Sequence, residues 1–527
     1  MTSPSQLSSA SIAWDQWVPT SNTQFPAYIL IGLMVIIIAY FRQSSRSNLT
    51  GVPFINPPHF FSNSEAKKAF MASAEDLMAQ AREKYPNQPY RMITDTGECI
   101  VLPPRFIDAL RSEPGLSFAD AMEEDFHSGL SGFKPFGCFA NDQVMQAVVR
   151  KHVAKLYAKV TKTLSDETRF AVCINMGDSL DWREMKMKDP VLDIVCRITS
   201  RVFLGDQLCR NEYWLQILKK YAVEVFIASA KLNAYPRPMR KLMNWILPEC
   251  KTIRAEREEA RRIIAPTIYQ RKEIKKAAIA AGQKPPRFND ALDWLEEESE
   301  ARGVDYDAAT FQLAISLVAV HTTADLLHQA IIDLAQHPES MQKVREEIIS
   351  VIRAEGWVNT ALSNMKLVDS VLKETQRMKP VDIVLLRRKV LKDVKLSNGL
   401  ILKKGMRTWV EKSQMADPAV YDNPDEWDAT RFLKLRSQPG TQARAQLVST
   451  SNDHYGFGYA DHSCPGRFFA ANELKIALCY LLVKYEWKLL PGTDARPMVF
   501  GIANAASPTS RMLIRRREKV EIDIDSI

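Results

Sequence analysis

The spacing of hydrophobic residues predicts a series of long helices in the middle and C-terminal parts of the chain. Residues 307–335 are apolar almost all round in their centre, which predicts a helix that runs through the protein interior. Residues 247–271, 338–354 and 367–378 combine apolar and charged positions at helical spacing, so each of these helices should expose one face to solvent. A final apolar helix is predicted over residues 467–485.

Shorter segments with strand character flank the helical region. Residues 89–103 predict two strands around the turn signal that begins at Asp95. Residues 383–411 are β-rich, with the hairpin turn Ser397-Asn-Gly, and hairpin-like strands follow the last helix. Residues 412–463 lack strong periodicity. The whole pattern predicts a mainly α protein with a minor β component.

The N-terminal region predicts a membrane anchor. An uncharged apolar run from Pro26 to Phe41 is followed by Arg42 and Arg46, which places the C-terminal side of the run in the cytosol. A buried core helix is the alternative, and a cleaved signal peptide fits poorly because no basic segment precedes the run. The predicted organisation is a short non-cytosolic head (1–24), a single transmembrane anchor (25–41), a basic and Pro-rich connector (42–58) and one large catalytic domain (59–527).

Charge and cysteine usage exclude several classes of protein. The 527 residues carry a formal net charge of +8, but the basic residues are dispersed rather than gathered in one stripe or arm. This argues against a nucleic-acid-binding protein and favours an anionic membrane surface or an acidic protein partner. The eight cysteines are scattered and form no C-x-x-C pair, which argues against a zinc site and a disulfide scaffold.

One cysteine, Cys464, has unusual surroundings. It lies in the glycine-rich and aromatic-rich segment YGFGYADHSCPGRFF (455–469), just before the last predicted helix. A thiolate that binds a metal needs its pKa lowered, which a metal ion, a helix N-terminus and backbone N–H groups can do together. Glycines would let the backbone approach a flat ligand closely. The alternative is a buried structural cysteine in a tight loop.

At this point the sequence resembles the cytochrome P450 family, whose haem-binding loop has the pattern F-G-x-G-x-H-x-C-x-G. The residues that match this pattern are Phe457, Gly458, His462, Cys464 and Gly466. The family's Glu-x-x-Arg helix matches Glu374 and Arg377, and its meander matches residues 424–432 with Arg431. The resemblance implies the P450 fold, with haem b as the cofactor and Cys464 as the axial ligand of the haem iron. It also implies that Glu374, Arg377 and Arg431 form a supporting network.

Further residues acquire roles from the same resemblance. In the family, an acid–threonine pair on the distal helix steers protons to bound oxygen; Thr322 falls on the threonine and His321 replaces the acid. Alone, a His-Thr pair in an apolar helix is as well explained by local hydrogen bonds. Haem propionates need cationic partners, and Arg388 is the best candidate by position. Arg150 is a second candidate, although Gln146 stands where the family often has a tryptophan.

Two residues of the cysteine loop depart from the family pattern. Ala460 stands where a glycine is usual, and Asp461 stands where a basic residue is frequent. Since Asp461 cannot pair with a propionate, we expect another cation or His462 to compensate. Four segments are candidates to face the substrate, and each is equally ordinary as core: Phe126 to Phe139, Ala319, Val381 to Leu386 and Phe500 to Ala506.

The resemblance implies a haem-thiolate monooxygenase. Within the family, the chain is most similar to fungal microsomal members. The expected reaction inserts oxygen from O2 into a lipophilic terpenoid or meroterpenoid intermediate. The expected electron donor is a partner NADPH–cytochrome P450 reductase, because the chain has no phosphate-cradling or flavin motif. The expected location is the endoplasmic reticulum membrane. Alternatives are a haem-thiolate enzyme that rearranges its substrate without a reductase, a non-catalytic haem-binding protein and a haemless structural membrane protein.

Overall fold

The described part of the chain is mainly helical. The computed structural model describes residues 28–29, 32, 51–58, 63–139, 144–154 and 160–527. The chain divides into two compact units, 1–52 and 53–527, and the second holds nearly all of the described residues. Of the predicted anchor, 25–41, only Tyr28, Ile29 and Gly32 are described, so this prediction lies outside the described residues.

The described residues form helices of very different lengths. In chain order they are α1 (Ser64–Lys84), α2 (Ile107–Leu110), α3 (Phe118–Asp125), α4 (Val144–Ala147), α5 (Thr161–Met176), α6 (Lys188–Leu208), α7 (Glu212–Asn233), α8 (Arg237–Ile246), α9 (Pro248–Ala280), α10 (Ala291–Arg302), α11 (Ala308–Gln336), α12 (Pro338–Glu355), α13 (Asn359–Asn364), α14 (Lys366–Met378), α15 (Arg431–Arg436) and α16 (Arg467–Lys484). A π-helical turn, Val148–Val153, continues α4.

The strands are short and fall into four sheets. They are β1 (Tyr90–Thr94), β2 (Gly97–Leu102), β3 (Leu116–Ser117), β4 (Arg183–Lys186), β5 (Val384–Val390), β6 (Val394–Lys395), β7 (Ile401–Leu402), β8 (Arg407–Glu411), β9 (Tyr485–Leu489), β10 (Met498–Phe500), β11 (Ala503–Ala505) and β12 (Arg511–Arg516). The largest sheet has the order β1-β2-β8-β5-β3, and only β2 and β8 pair in parallel within it. The other sheets are β4-β12-β9, β10-β11 and β6-β7.

The helix α11 forms the centre of the helical core. Asp307 caps its first turn by accepting a hydrogen bond from the Thr310 N–H over 3.1 Å. Within the described residues, α11 is the one helix long and apolar enough to cross a membrane, and 72% of its most apolar window is buried inside the protein. It is therefore the interior helix that the sequence predicted.

Most predicted elements are confirmed, and the differences have physical causes. The helix predicted over 247–271 continues to Ala280, because the residues beyond 271 are good helix formers and carry no breaker. The strands β3 and β4 were not predicted. Their sequences are too short to show alternation, and they form because β5 and β12 offer them pairing edges.

Candidate functional site

The loop before α16 folds back so that its cysteine lies beside its glycine-rich beginning. The Cys464 N–H donates to the Phe457 carbonyl oxygen over 2.7 Å, and the Gly458 N–H donates to the Tyr455 carbonyl oxygen over 2.8 Å. Gly458 has a φ of +79°, and a Cβ there would lie 2.6 Å from the His462 carbonyl oxygen. Only glycine can therefore occupy this position without moving the backbone.

The Cys464 side chain is surrounded by protein atoms but remains accessible. Its side chain is accessible to solvent, yet the protein atoms around it desolvate the thiol and raise its pKa. An accessible side chain with many protein neighbours faces an open space inside the fold. The backbone N–H groups of Gly466 and Arg467 and the charge of Arg467 oppose this shift in pKa. A stable thiolate here therefore needs a positively charged ligand, such as a metal ion.

A buried ion-pair network joins α14 to the start of α15. The Arg377 guanidinium donates to the Glu374 carboxylate over 2.8 and 2.9 Å, and both side chains are at most 1% exposed. Arg431 donates to the same carboxylate over 3.0 Å. Of the other Glu-x-x-Arg pairs, Glu258–Arg261 lies at the surface. The structure therefore confirms which pair is the buried one.

The middle of α11 exposes one strip of side chains. Val318 is 40% exposed and Thr322, one turn later, is also exposed, although the rest of the helix is mostly buried. This strip therefore borders an open space inside the fold. The Thr322 hydroxyl donates to the Val318 carbonyl oxygen over 2.7 Å, which is the local bond that a threonine in a helix usually makes.

His321 points in a different direction from Thr322. Its Nε2 lies 3.3 Å from the Leu218 carbonyl oxygen on α7. Burial lowers the pKa of the His321 imidazole, so the ring is neutral at neutral pH. The hydrogen bond occupies one ring nitrogen and ties α11 to α7. The role of His321 in proton transfer stays a prediction.

The predicted cations lie near the cysteine loop. Arg388 is 3% exposed, and its Nη1 donates to the Arg387 carbonyl oxygen over 2.8 Å. Its Nε and Nη2 have no hydrogen-bond partner among the residues that the structure describes. Burial and the charge of Arg387 lower the pKa of Arg388 to about 10. Burial and the positive charges of Arg388 and Arg150 lower the pKa of the His462 imidazole.

Comparison with known proteins identifies the family. Residues 138–513 match the family described as Cytochrome P450.

The chain belongs to the cytochrome P450 family.

Relatives from fungi support this assignment over nearly the whole chain. The cytochrome P450 monooxygenase hepE of Aspergillus oryzae is 40% identical over 493 residues, which cover 93% of this chain and 89% of hepE. Cytochrome P450 monooxygenase 2 of Gibberella fujikuroi is 43% identical over 509 residues, covering 95% and 97%. A solved structure, retinoic acid bound cyanobacterial CYP120A1, shares the fold, with a TM-score of 0.63, 15% identity and coverage of 86% and 96%. The protein is therefore a cytochrome P450 monooxygenase with a haem cofactor.

The residues present in this P450 fit a haem group. Cys464 offers an accessible thiol that a metal ion would stabilise as thiolate. Arg388 offers two N–H donors that are buried without a partner in the described structure, which suits a carboxylate such as a propionate. Phe457, Gly458 and Gly466 shape the loop around the cysteine. When bound, a thiolate-ligated haem supplies the activation of O2 by favouring O–O bond cleavage.

Removing the Arg388 charge should weaken haem binding without destabilising the apoprotein. In Arg388→Met we expect haem to dissociate about tenfold to a hundredfold more readily, because charge-assisted hydrogen bonds to a propionate are lost. The apoprotein should keep its melting temperature, since the substitution removes an unpaired buried charge. Haem transfer to apomyoglobin and thermal unfolding of the apoprotein measure the two effects.

The surface substitution Arg262→Met is the control for Arg388→Met, because Arg262 is an exposed partner of Glu259. It should change neither haem release nor the melting temperature. Equal haem retention in Arg388→Met and Arg262→Met would contradict the assignment of Arg388 to a propionate.

The two departures in the cysteine loop have structural explanations. Asp461 is exposed, and its carboxylate accepts a hydrogen bond from the Ser112 hydroxyl over 3.0 Å. The Tyr459 hydroxyl donates to Asp108 over 3.0 Å, so the outer side of the loop is tied to residues that follow β2. Ala460 has a φ of +52°, the left-handed conformation that favours glycine. The expectation that another cation or His462 compensates for Asp461 stays a prediction, with Arg388 as the cation that acts on the neighbouring His462.

Replacing Ala460 with glycine should stabilise the protein. The left-handed backbone is strained for alanine, and we expect Ala460→Gly to raise the free energy of unfolding by about 1 kcal/mol. Ala255→Gly, at an exposed position inside α9, should instead destabilise by about 0.5–1 kcal/mol. Denaturant unfolding of the haem-loaded protein measures both, and a loss of stability in Ala460→Gly would contradict the prediction.

Sequence reasoning missed one polar residue at the site, Asp325. It lies on α11 three residues after Thr322, and its carboxylate contacts Lys379 and the Ala506 N–H. The available signal was an acid in the middle of a mostly apolar helix, where a carboxylate requires a partner. The partners are distant in sequence, so only the folded chain shows them.

Proposed function

We propose that this P450 oxidises a lipophilic terpenoid or meroterpenoid intermediate of fungal secondary metabolism. One atom of O2 enters a C–H bond of the substrate, the other leaves as water, and NADPH is oxidised to NADP⁺ with uptake of one proton. The observation that carries the proposal is the accessible Cys464 thiol, together with the exposed strip of α11 that carries Val318 and Thr322. An apolar side chain next to the reaction centre suits an apolar substrate.

We assign roles to the site residues on the same basis. Cys464 binds the haem iron, Arg388 binds a propionate, and Arg150 and His462 lie beside that anionic edge. The Thr322 hydroxyl is a proton donor on the face of α11 that borders the open space. His321 holds α7 and α11 together through the Leu218 carbonyl oxygen, and the second nitrogen of its neutral ring can accept a proton during transfer.

The electron source and the cellular location are further parts of the proposal. Electrons come from NADPH through a partner NADPH–cytochrome P450 reductase. The anchor over 25–41 holds the chain in the endoplasmic reticulum membrane, with the connector 42–58 and the catalytic domain 59–527 in the cytosol and the head 1–24 across the membrane. The support for this placement is the uncharged apolar run followed by arginines.

The proposal is tested by labelled oxygen in a reconstituted system. Microsomes that contain the full chain and a fungal reductase are supplied with a panel of terpenoid hydrocarbons under ¹⁸O2, with and without NADPH. We expect products that carry one ¹⁸O and form only with NADPH and reductase. Products of unchanged mass that form without NADPH would overturn the proposal and indicate a rearranging haem-thiolate enzyme.

A further inference from the structure

Asp325 connects three parts of the chain at the side of α11. One carboxylate oxygen contacts the Lys379 ammonium, and the other accepts a hydrogen bond from the Ala506 N–H over 2.8 Å. Lys379 follows α14 directly, and Ala506 follows β11. Asp325 and Thr322 are three residues apart, so they share a face of the helix. The carboxylate therefore lies close to the strip that borders the open space.

The segments that Asp325 joins to α11 are also joined to each other. The Ile383 N–H donates to the Ile502 carbonyl oxygen over 2.9 Å, and the Asn504 N–H donates to the Val381 carbonyl oxygen over 2.8 Å. A β-bridge also pairs Asp382 with Ala503. The segments 381–386 and 500–506, which the sequence analysis named as candidates to face the substrate, thus form one unit.

This unit presents apolar side chains that are not covered by the protein. Val381 is 36% exposed and Phe500 is 59% exposed. Leu386 has a φ of +44°, at an irregularity of the pairing between β5 and β8. A side chain held in such a conformation needs support from its surroundings. The contacts of Asp325 with Lys379 and Ala506 join this unit to α11.

The charged forms of Asp325 and Lys379 stabilise each other. Lys379 is only 3% exposed, and burial lowers the pKa of its ammonium group to about 7. The charge of Asp382 opposes this shift, and the Asp325 carboxylate, which contacts the ammonium group directly, also favours its charged form. Loss of the Asp325 carboxylate would remove the counter-ion that contacts Lys379 directly and weaken the preference of the lysine for its charged form, which Asp382 also favours.

We propose that Asp325 is a positioning residue that determines substrate selectivity. By joining α11 to Lys379 and Ala506, its carboxylate fixes the distance between the Thr322 strip and the unit of 381–386 and 500–506. A fixed width limits which apolar molecules fit and which of their carbons lies next to the reaction centre. This inference rests on the proposed function, since it treats the unit as a wall of the substrate cavity.

The first test measures hydrogen–deuterium exchange in the haem-loaded full chain, without substrate or reductase. Asp325→Asn keeps the volume and an acceptor for Ala506 but removes the charge that holds Lys379. We expect exchange at 381–386 and 500–506 to rise about tenfold or more, as loss of a buried charge-assisted hydrogen bond allows. Unchanged exchange in both segments, or a change confined to the Ala506 amide, would overturn the inference.

A matched control and a second variant keep the result interpretable. Asp393 also contacts a lysine, Lys403, and a backbone N–H, that of Lys404, but at the surface. Asp393→Asn should leave exchange in both segments unchanged. Lys379→Met removes the same ion pair from the other side and should reproduce the effect if Asp325→Asn does not yield haem-loaded protein. The double substitution should add little to either single one.

The second test measures the width of the cavity with two ligands of different size. Imidazole and the bulky azole clotrimazole are titrated into the haem-loaded protein, and binding is followed by the shift of the Soret band. We expect imidazole affinity to stay the same in Asp325→Asn and clotrimazole affinity to change at least about fivefold, because only the large ligand reaches the wall. If the ratio of clotrimazole affinity to imidazole affinity were the same in the wild type and in Asp325→Asn, the role of Asp325 in selectivity would be overturned. Failure of the labelled-oxygen test would leave both measurements valid.

Discussion

Replacing Cys464 with alanine is expected to abolish the haem-thiolate spectrum and the oxygenase activity together. The dithionite-reduced protein with carbon monoxide should show a strongly red-shifted Soret band in the wild type and lose it in Cys464→Ala. The physical reason is that the thiolate donates electron density to the iron and favours O–O bond cleavage, which no other side chain near the loop can do.

The effect of Cys464→Ala on activity should be large, because the substitution removes the thiolate proposed to take part directly in oxygen activation. We expect NADPH-dependent product formation to fall by roughly a thousandfold or more, which is the order of loss for removal of a group that acts directly on the reaction. Activity is measured with the reconstituted reductase and normalised to bound haem. The substitution should have little effect on folding, because Cys464 faces the open space.

The matched control is Cys173→Ala, because Cys173 is exposed on α5, away from the cysteine loop. It should leave the carbon monoxide spectrum and the activity unchanged. A red-shifted band that persists in Cys464→Ala, or an imidazole-type band in the wild type that does not depend on Cys464, would contradict the assignment of the axial ligand.

Replacing Glu374 with glutamine should produce the largest loss of stability. The carboxylate is fully buried and accepts hydrogen bonds from both Arg377 and Arg431. The amide would leave two guanidinium groups near it without a counter-ion, and breaking a buried pair in this way costs about 3–5 kcal/mol. We expect a much lower melting temperature and a small yield of haem-loaded protein, measured by thermal unfolding and by the haem absorbance per protein.

The chain provides a control with the same local spacing. Glu258 and Arg261 also lie three residues apart on a helix, but both are well exposed, at 49% and 39%. Glu258→Gln should cost no more than about 0.5 kcal/mol, because water and salt screen an exposed pair. If Glu374→Gln were as stable as Glu258→Gln, the buried network would not stabilise the fold as its burial indicates.

The helices show where local sequence was sufficient. The residues of α11 are apolar on nearly every face, and a segment of this kind has no stable place except the interior. Its location could therefore be predicted without knowledge of its partners. The pattern of α14 and its end before Pro380 was predicted for similar reasons, since a proline disfavours helical conformation in the preceding residue.

The cysteine loop was predictable from its residue types, but its details were not. Gly458 and Cys464 are identified by a pattern of neighbours along the chain. The direction of Asp461 towards Ser112 depends on a residue more than 300 positions away, and the left-handed conformation of Ala460 is not one that its residue type favours. A sequence motif contains no information about these contacts, so the expected repulsion between Asp461 and a propionate could not be judged from it.

By itself the sequence predicted the family, the cysteine that we propose as the haem ligand, the core helix and the buried Glu-x-x-Arg pair. These features depend on short-range periodicity and on residue types at fixed spacing, which the chain carries locally. Only the tertiary structure decided that Nε and Nη2 of Arg388 lack a hydrogen-bond partner within the described protein, that His321 contacts α7 and that Asp325 joins α11 to Lys379 and Ala506. Each of these depends on which distant segments the packed core brings together, and hydrophobic burial selects those neighbours without leaving a local pattern.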